Sequence, residues 1–186
     1  MSLKDVVDAG DSGLPARSGS ALPPQRMDVQ QFARAHETLT GSTTLAALER
    51  LAAECSSDAR QVALAWKLDG TVDGEGACWL TVEVDTAVPR QCQRCLEDVI
   101  IDVRSVSRFR LVFPGETWND EDLEDDSFEA LEVDGPLDVS ALVEDEVLLC
   151  LPPIALHESC EAPGVPEGGN SGRPSPFAVL GKLKRN

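Results

Sequence analysis

The N-terminal part of the chain spaces its apolar residues as helices do. Residues 27–35 begin beside Asp28, a suitable N-cap, and this pattern predicts a short helix. A second helix is predicted from Ser42 or Thr43 to Ala53, because apolar residues recur there every three or four positions. Those residues are Leu45, Leu48, Leu51 and Ala52. We expect both helices to pack on a sheet.

The middle of the chain alternates apolar and other residues with a period of two, which is typical of strands. One strand is predicted over residues 62–68, before the Asp69-Gly70 turn, and another over residues 79–88. Residues 99–113 also alternate, but this run is long for one strand, so we expect a bend and a bulge before Phe109. Residues 128–133 predict a last short strand.

A further helix is predicted between Asp138, which can cap it, and Leu149, and Pro152 and Pro153 end it. Its acidic run, residues 144–146, is expected largely outside the apolar face. These elements together predict an α+β fold. We expect a mostly antiparallel sheet, or a partly closed barrel, of about four strands with a few packed helices.

Composition divides the chain into four parts. Residues 1–26 are rich in Gly, Pro, Ser and Asp and predict a flexible, disordered leader. Residues 27–160 predict a single α+β domain, and residues 161–175 predict a linker rich in Gly, Pro and Ser. Residues 176–186 predict a short basic C-terminal helix or tail.

The charge of the chain limits its partners. The 186 residues carry a formal net charge of −17, and residues 116–146 hold 14 acidic residues without Lys or Arg. Extensive nucleic-acid binding is therefore disfavoured, and no DNA partner is expected. No apolar run is long enough to cross a membrane and no secretion signal is visible, so we expect a cytoplasmic protein without a membrane partner.

The cysteines offer the strongest chemical signal. Cys92 and Cys95 are spaced so that a tight turn can aim both sulfurs at one ion, and His157 and Cys160 can complete a Cys₃His zinc site. The alternative is a set of buried thiols that behave as small apolar side chains. Cys150 can replace Cys160 as a ligand, but its place in an apolar helical run favours a packed thiol.

Two kinds of enzyme compete with a structural metal site. Arg90 and Arg94 can lower a thiol pKa in the Cys-Gln-Arg-Cys segment, which allows thiol redox chemistry. The segment lies between two predicted antiparallel strands, however, and a thioredoxin-like motif lies at a strand-to-helix turn. His36 and His157 are the only histidines, which disfavours nucleophilic catalysis. We therefore expect no enzymatic activity, with a zinc-dependent or thiol enzyme as the alternative.

Basic and apolar residues suggest contacts to RNA or to a partner. Arg94 lies in the cysteine segment, and Arg104, Arg108 and Arg110 share a parity that can place them on one side of a strand. An ordinary solvated face with acidic neighbours is the alternative. The tail adds four candidate contact residues: Phe177, Leu180, Lys182 and Lys184.

Three segments, in their order and spacing, resemble the bacterial YceD family. They are Cys92-Gln-Arg-Cys-Leu-Glu97; Val143-Glu-Asp-Glu-Val-Leu-Leu149 with Leu151, Pro152 and His157; and Pro176-Phe-Ala-Val-Leu180 before Lys182 and Lys184. The family's paired cysteines correspond to Cys92 and Cys95, and its later His and Cys positions to His157 and Cys160. The resemblance covers roughly residues 25–186.

The resemblance implies a function in ribosome biogenesis. It implies a factor, without established enzymatic activity, that supports accumulation or processing of the large-subunit (23S) ribosomal RNA. The expected partners are a ribosomal protein or assembly factor, the precursor large-subunit RNA, or both. A pure protein-binding adapter is the further alternative. The pattern leaves the oligomeric state open.

Overall fold

The computed structural model describes residues 22–56, 61–116 and 127–163. Its helices are α1 (Val29–Arg34), α2 (Glu49–Glu54) and α3 (Val139–Cys150), and a 3₁₀ turn covers Leu45–Ala47. Its strands are β1 (Thr38–Thr44), β2 (Ala63–Val72), β3 (Cys78–Gln91), β4 (Asp98–Val112) and β5 (Glu129–Glu132). Within these ranges no helix is long and apolar enough to cross a membrane. The predicted leader, linker and tail lie outside the described residues, apart from residues 22–26 and 161–163.

The five strands form one open sheet in the order β1-β2-β3-β4-β5. Neighbours from β1 to β4 are antiparallel, whereas β5 runs parallel to β4. The α+β class and the mostly antiparallel sheet are therefore confirmed. The sheet has one strand more than predicted, and the alternative of a partly closed barrel is wrong because β1 and β5 lie at opposite edges.

Strand β1 replaces the start of the predicted second helix. It pairs along its whole length with β2, from Thr38 opposite Asp69 to Thr44 opposite Ala63. Gly41 permits this pairing, because a Cβ atom there would lie 2.3 Å from Cζ2 of Trp66. The Thr-rich segment is thus a strand packed on an indole ring. The helix begins only at Glu49, after the 3₁₀ turn.

Strands β3 and β4 pair without interruption. Their register runs from Cys78 opposite Leu111 to Gln91 opposite Asp98, with one residue on each side at every step. The bulge predicted before Phe109 is therefore absent. The connection between the two strands, residues 92–97, therefore lies at one end of the sheet.

Helices α1 and α3 cover one face of the sheet. Both begin with an aspartate cap: Asp28 accepts from the Gln31 N–H and Asp138 from the Ala141 N–H, each at 2.9 Å. One continuous core fills the space between helices and sheet. Its fully buried side chains include Val29, Leu51, Leu64, Leu68, Leu80, Val82, Leu111, Val139, Val143 and Val147. Because strand side chains alternate, the residues between these positions form the opposite face, which we call the open face.

Two acidic residues of α3 are buried, contrary to the prediction that the run 144–146 lies largely outside. Glu144 is 7% exposed and accepts hydrogen bonds from the Leu51 N–H and the Arg50 Nε, each at 2.9 Å. It thereby supplies a cap for α2, which has no side-chain cap of its own. Glu146 is 5% exposed and accepts from the Ser107 hydroxyl, and burial raises the pKa of its carboxyl.

Candidate metal centre

The site is built on the connection between β3 and β4, residues 92–97, which we call the knuckle. The Cys92 N–H donates to the Glu97 carbonyl at 2.8 Å, and the Leu96 N–H donates to the Cys92 carbonyl at 2.9 Å. Leu96 has a positive φ of 66°, a conformation that favours glycine. These bonds close a tight turn that presents Cys92 and Cys95 to one side.

The segment after α3 returns to the knuckle and supplies the second pair of ligand candidates. Pro152 ends the helix, and its carbonyl accepts from the Arg90 Nη1 at 2.8 Å. The Gln93 N–H then donates to the Ala155 carbonyl at 2.9 Å. Cys92, Val99 and Ala155 form a small buried cluster separate from the main core. This cluster holds residues 155–160 against the end of the hairpin.

Four side chains converge where the two segments meet. The donor atoms of Cys92, Cys95, His157 and Cys160 all lie within 4.8 Å of one another. The sulfurs of Cys92 and Cys160 are 3.7 Å apart, and the Cys95 sulfur is 3.3 Å from Nδ1 of His157. A tetrahedral zinc ion with the usual bond lengths separates two sulfurs by about 3.8 Å and a sulfur from a nitrogen by about 3.6 Å. The group can therefore hold a metal ion, and its donor set suits zinc.

The surroundings prepare these side chains for a metal. Nε2 of His157 lies 3.0 Å from the Asp98 carbonyl, to which it can only donate, so the Nδ1 lone pair faces the sulfurs. Burial raises the pKa of the Cys92 thiol, but backbone N–H groups of Cys95, His157 and Arg94 outweigh burial and lower that pKa to about 5. Burial and the neighbouring sulfurs raise the pKa of Cys160. Metal binding would replace its proton.

The other three cysteines lie outside this group. Cys78 is buried, and its thiol pKa is raised by burial. Cys55 is half-buried and donates to the Leu51 carbonyl at 3.3 Å. Cys150 is exposed at the end of α3, so the expectation of a packed thiol there is wrong.

The predicted arginine contacts divide between two places. Arg94 is exposed on the knuckle and donates to the Cys160 carbonyl at 3.2 Å. Arg104, Arg108 and Arg110 share the open face, as their parity predicts. Arg104 pairs with Asp85 at 2.7 Å, and the Arg108 guanidinium lies 3.9 Å from the centre of the Trp79 ring. Arg110 also has an interaction partner. Phe177, Leu180, Lys182 and Lys184 lie outside the described residues.

The sequence pattern did not identify the groups that position His157 and Arg108. The Asp98 carbonyl is a backbone group, and no residue type announces it. Trp79 lies under Arg108 and donates its Nε1–H to Asp73 at 2.8 Å. Trp79 is paired with Arg110, which lies two residues after Arg108 on the same face of β4. The strand register would therefore have placed Trp79 next to Arg108.

The fold and the site define the class of protein: a small α+β domain with a Cys₃His group at the end of a β-hairpin. The family model described as "Large ribosomal RNA subunit accumulation protein YceD" matches residues 80–184. A protein of that name from Haemophilus influenzae is 30% identical over 124 residues, which cover 61% of this chain and 70% of the relative. The chain belongs to the YceD family. No solved structure matches it significantly.

Proposed function

We propose that this chain is a non-enzymatic factor that supports accumulation of the large-subunit ribosomal RNA, acts by binding protein, RNA or both, and carries a structural zinc ion. Family membership supports the ribosomal part of this proposal. A ribosome-related family also favours action in the cytoplasm.

A structural metal is supported mainly by the four protein donor atoms that lie close to one another. A catalytic zinc site keeps one position open for water or substrate, whereas a structural site fills all four positions with protein ligands. Cys92, Cys95, His157 and Cys160 leave no such opening. The zinc would join the β3–β4 hairpin to the segment after α3.

The positions of the two histidines also favour a structural site over a catalytic one. His36 is exposed beside α1, and His157 faces the sulfurs through one nitrogen and the Asp98 carbonyl through the other. The nucleophile that His157 faces is Cys95, which is itself one of the four candidate metal ligands. A binding role accounts for the described surface without requiring a reaction.

Charge favours a protein among the two classes of partner. Residues 127–163 hold nine Asp and Glu and no Lys or Arg, and all of these acids except Glu144 and Glu146 lie outside the buried set. On the open face Arg104 is already paired with Asp85. Such a surface attracts the cationic proteins that assemble on ribosomal RNA and repels phosphate groups. We place any RNA contact at the arginines of the knuckle and the open face, together with the basic tail. These arginines are Arg94, Arg104, Arg108 and Arg110.

The proposal is tested by replacing the native gene with Cys92→Ser or Cys160→Ser, with Cys150→Ser as the matched control. We expect both cluster variants to lose zinc in metal analysis of reduced, purified protein. We also expect them to lower the large subunit in sucrose gradients and raise precursor RNA. Cys150→Ser should retain both properties. Normal gradients after complete depletion of the protein would refute the ribosomal role, and zinc-free wild-type protein would refute the metal.

The contribution of direct RNA contact has a separate test. A variant with Arg104, Arg108 and Arg110 changed to Gln should keep ribosomal function if the partner is a protein. Salt-dependent binding of large-subunit RNA fragments that disappears in this variant would establish RNA as the partner instead.

A further inference from the structure

The knuckle end of the molecule exposes apolar side chains that its folding does not require. Seven large apolar residues are exposed in the described part of the chain, and three of them flank the Cys₃His group. Leu96 is 57% exposed, Ile154 57% and Leu156 39%. We call these three residues the knuckle patch.

The knuckle patch lies on two segments that contact each other. The Gln93 N–H donates to the Ala155 carbonyl, and Cys95 contacts His157. Leu96 and Leu156 are therefore each one residue away from that contact. The side chain of Ala155 is buried, so in an extended segment Ile154 and Leu156 point outward on either side of it.

Leu96 combines two unfavourable features. Its φ of 66° is strained for a branched side chain, and its side chain gains little burial in return. Glycine would suit this turn better. A leucine there is explained if another segment covers it.

Charges around the patch indicate the chemistry of that segment. Glu97, Asp98, Glu158 and Glu161 are all exposed on the same two segments. The one cation among them, Arg94, donates to the Cys160 carbonyl. A segment that combines apolar and basic side chains complements this surface, whereas a second copy of its acidic rim or a phosphate backbone does not.

The chain itself contains such a segment, and it begins nearby. Residues 177–185 place Phe177, Val179 and Leu180 before Lys182, Lys184 and Arg185. The described chain ends at Pro163, three positions after Cys160, and thirteen residues separate Pro163 from Phe177. A random chain of thirteen residues has an average end-to-end distance of about 20 Å, and a segment that starts three positions after Cys160 can return to the knuckle over that distance.

We propose that the knuckle patch binds residues 177–185 of the same chain. Phe177 and Leu180 cover Leu96 and Leu156, and the basic residues face the acidic rim. Tethering supports this contact, since a short linker gives an effective concentration on the order of 1 mM. A contact with an intrinsic dissociation constant of ~0.1 mM would then be about 90% occupied. This inference does not depend on the ribosomal role.

Methyl NMR spectra of the reduced, full-length protein test the contact. We compare wild type with a full-length variant carrying Phe177→Ser and Leu180→Ser. The Leu96, Ile154 and Leu156 methyl signals should shift, while Val106 on the open face, 66% exposed, should not. Unchanged knuckle signals would overturn the proposal and leave the patch to an external partner. Shifts that disappear on about tenfold dilution would also overturn the proposal, because only a contact between two molecules weakens on dilution, and the bound tail would then belong to a second copy.

Trypsin cleavage after Lys182 provides a second readout. About 90% occupancy should slow this cleavage about tenfold in wild type relative to Leu96→Gly, which removes the side chain and suits the turn. Leu149→Ser is the matched control, because Leu149 is 76% exposed on α3 and lies outside the patch. It should be cleaved as slowly as wild type. Equal cleavage rates in wild type and Leu96→Gly would refute the contact.

Discussion

If the Cys₃His group holds the zinc ion that we propose, removal of that ion should release the segment after α3 while the sheet stays folded. Residues 153–160 have no regular secondary structure. Apart from the contacts among the four candidate ligands, three hydrogen bonds hold them: Gln93 N–H to the Ala155 carbonyl, His157 to the Asp98 carbonyl, and Arg94 to the Cys160 carbonyl. At about 1 kcal/mol each, these bonds contribute about 3 kcal/mol. Fixing eight residues costs about 8–16 kcal/mol of backbone entropy.

A zinc ion bound by the four candidate ligands would change the balance of these free energies. Structural zinc contributes about 10–16 kcal/mol in small zinc domains at neutral pH, which offsets the entropy that three hydrogen bonds cannot. The buried residues of the main core form a cluster distinct from Cys92, Val99 and Ala155. We therefore expect local opening of the knuckle on chelation, without global unfolding.

Hydrogen exchange before and after chelation measures this opening at single amides. The Gln93 amide should exchange much faster in the chelated protein, because its acceptor, the Ala155 carbonyl, moves away. The Leu45 amide, which donates to the Val62 carbonyl at 3.0 Å, is the control and should keep its protection. Equal protection of Gln93 with and without the chelator would show that the metal does not hold the segment, and the reasoning would fail.

Three further substitutions test the described core. Glu144→Ala should lower the free energy of unfolding in urea by about 2 kcal/mol, since it leaves the buried Leu51 N–H without an acceptor; an unchanged midpoint would refute the capping role. Burial raises the pKa of Glu146 above its usual 4.5, so its protonated form stabilises the fold below pH 4.5 and this contribution is lost as pH rises through the folded pKa. Glu146→Gln should therefore raise Tm at pH 7 but not at pH 4, and equal gains at both would contradict the shift. Gly41→Ala should cost about 1–3 kcal/mol through its clash with Trp66, whereas full stability would show that the indole moves freely.

Local signals predicted the elements that have local causes. The aspartate caps at Asp28 and Asp138 located α1 and α3, and strict alternation located β2, β3 and β4. The turn predicted at Asp69-Gly70 was wrong, because β2 continues through both residues to Val72. Strand β1 has no comparable local signal, because it is defined by pairing with β2 and by packing of Gly41 on Trp66. These contacts join residues 19 to 31 positions apart, from Thr44 opposite Ala63 to Thr38 opposite Asp69. No local pattern records them.

The candidate ligands could be predicted because their side chains carry the chemistry. Cys92, Cys95, His157 and Cys160 were selected by residue type and spacing, and the fold brings all four together across 61 intervening residues. Burial of Glu144 could not be predicted in this way. It depends on the backbone of α2 lying against α3, and a carboxylate reads as a surface residue until its donors are known.

The surface can bind phosphate through the arginines of the open face, or basic side chains through the exposed acids beside the knuckle. The arginines already have interaction partners. To bind phosphate, Arg104 must break its ion pair with Asp85, and Arg108 must move away from the face of the Trp79 ring. Each exchange returns less free energy than binding to an unengaged cation, because an existing interaction is lost. Within the described residues, the exposed acids beside the knuckle form no ion pair that would have to break before they meet a basic side chain. A cationic polypeptide therefore gains more from this surface than an RNA backbone does, and the basic segment 177–185 is the occupant that we propose.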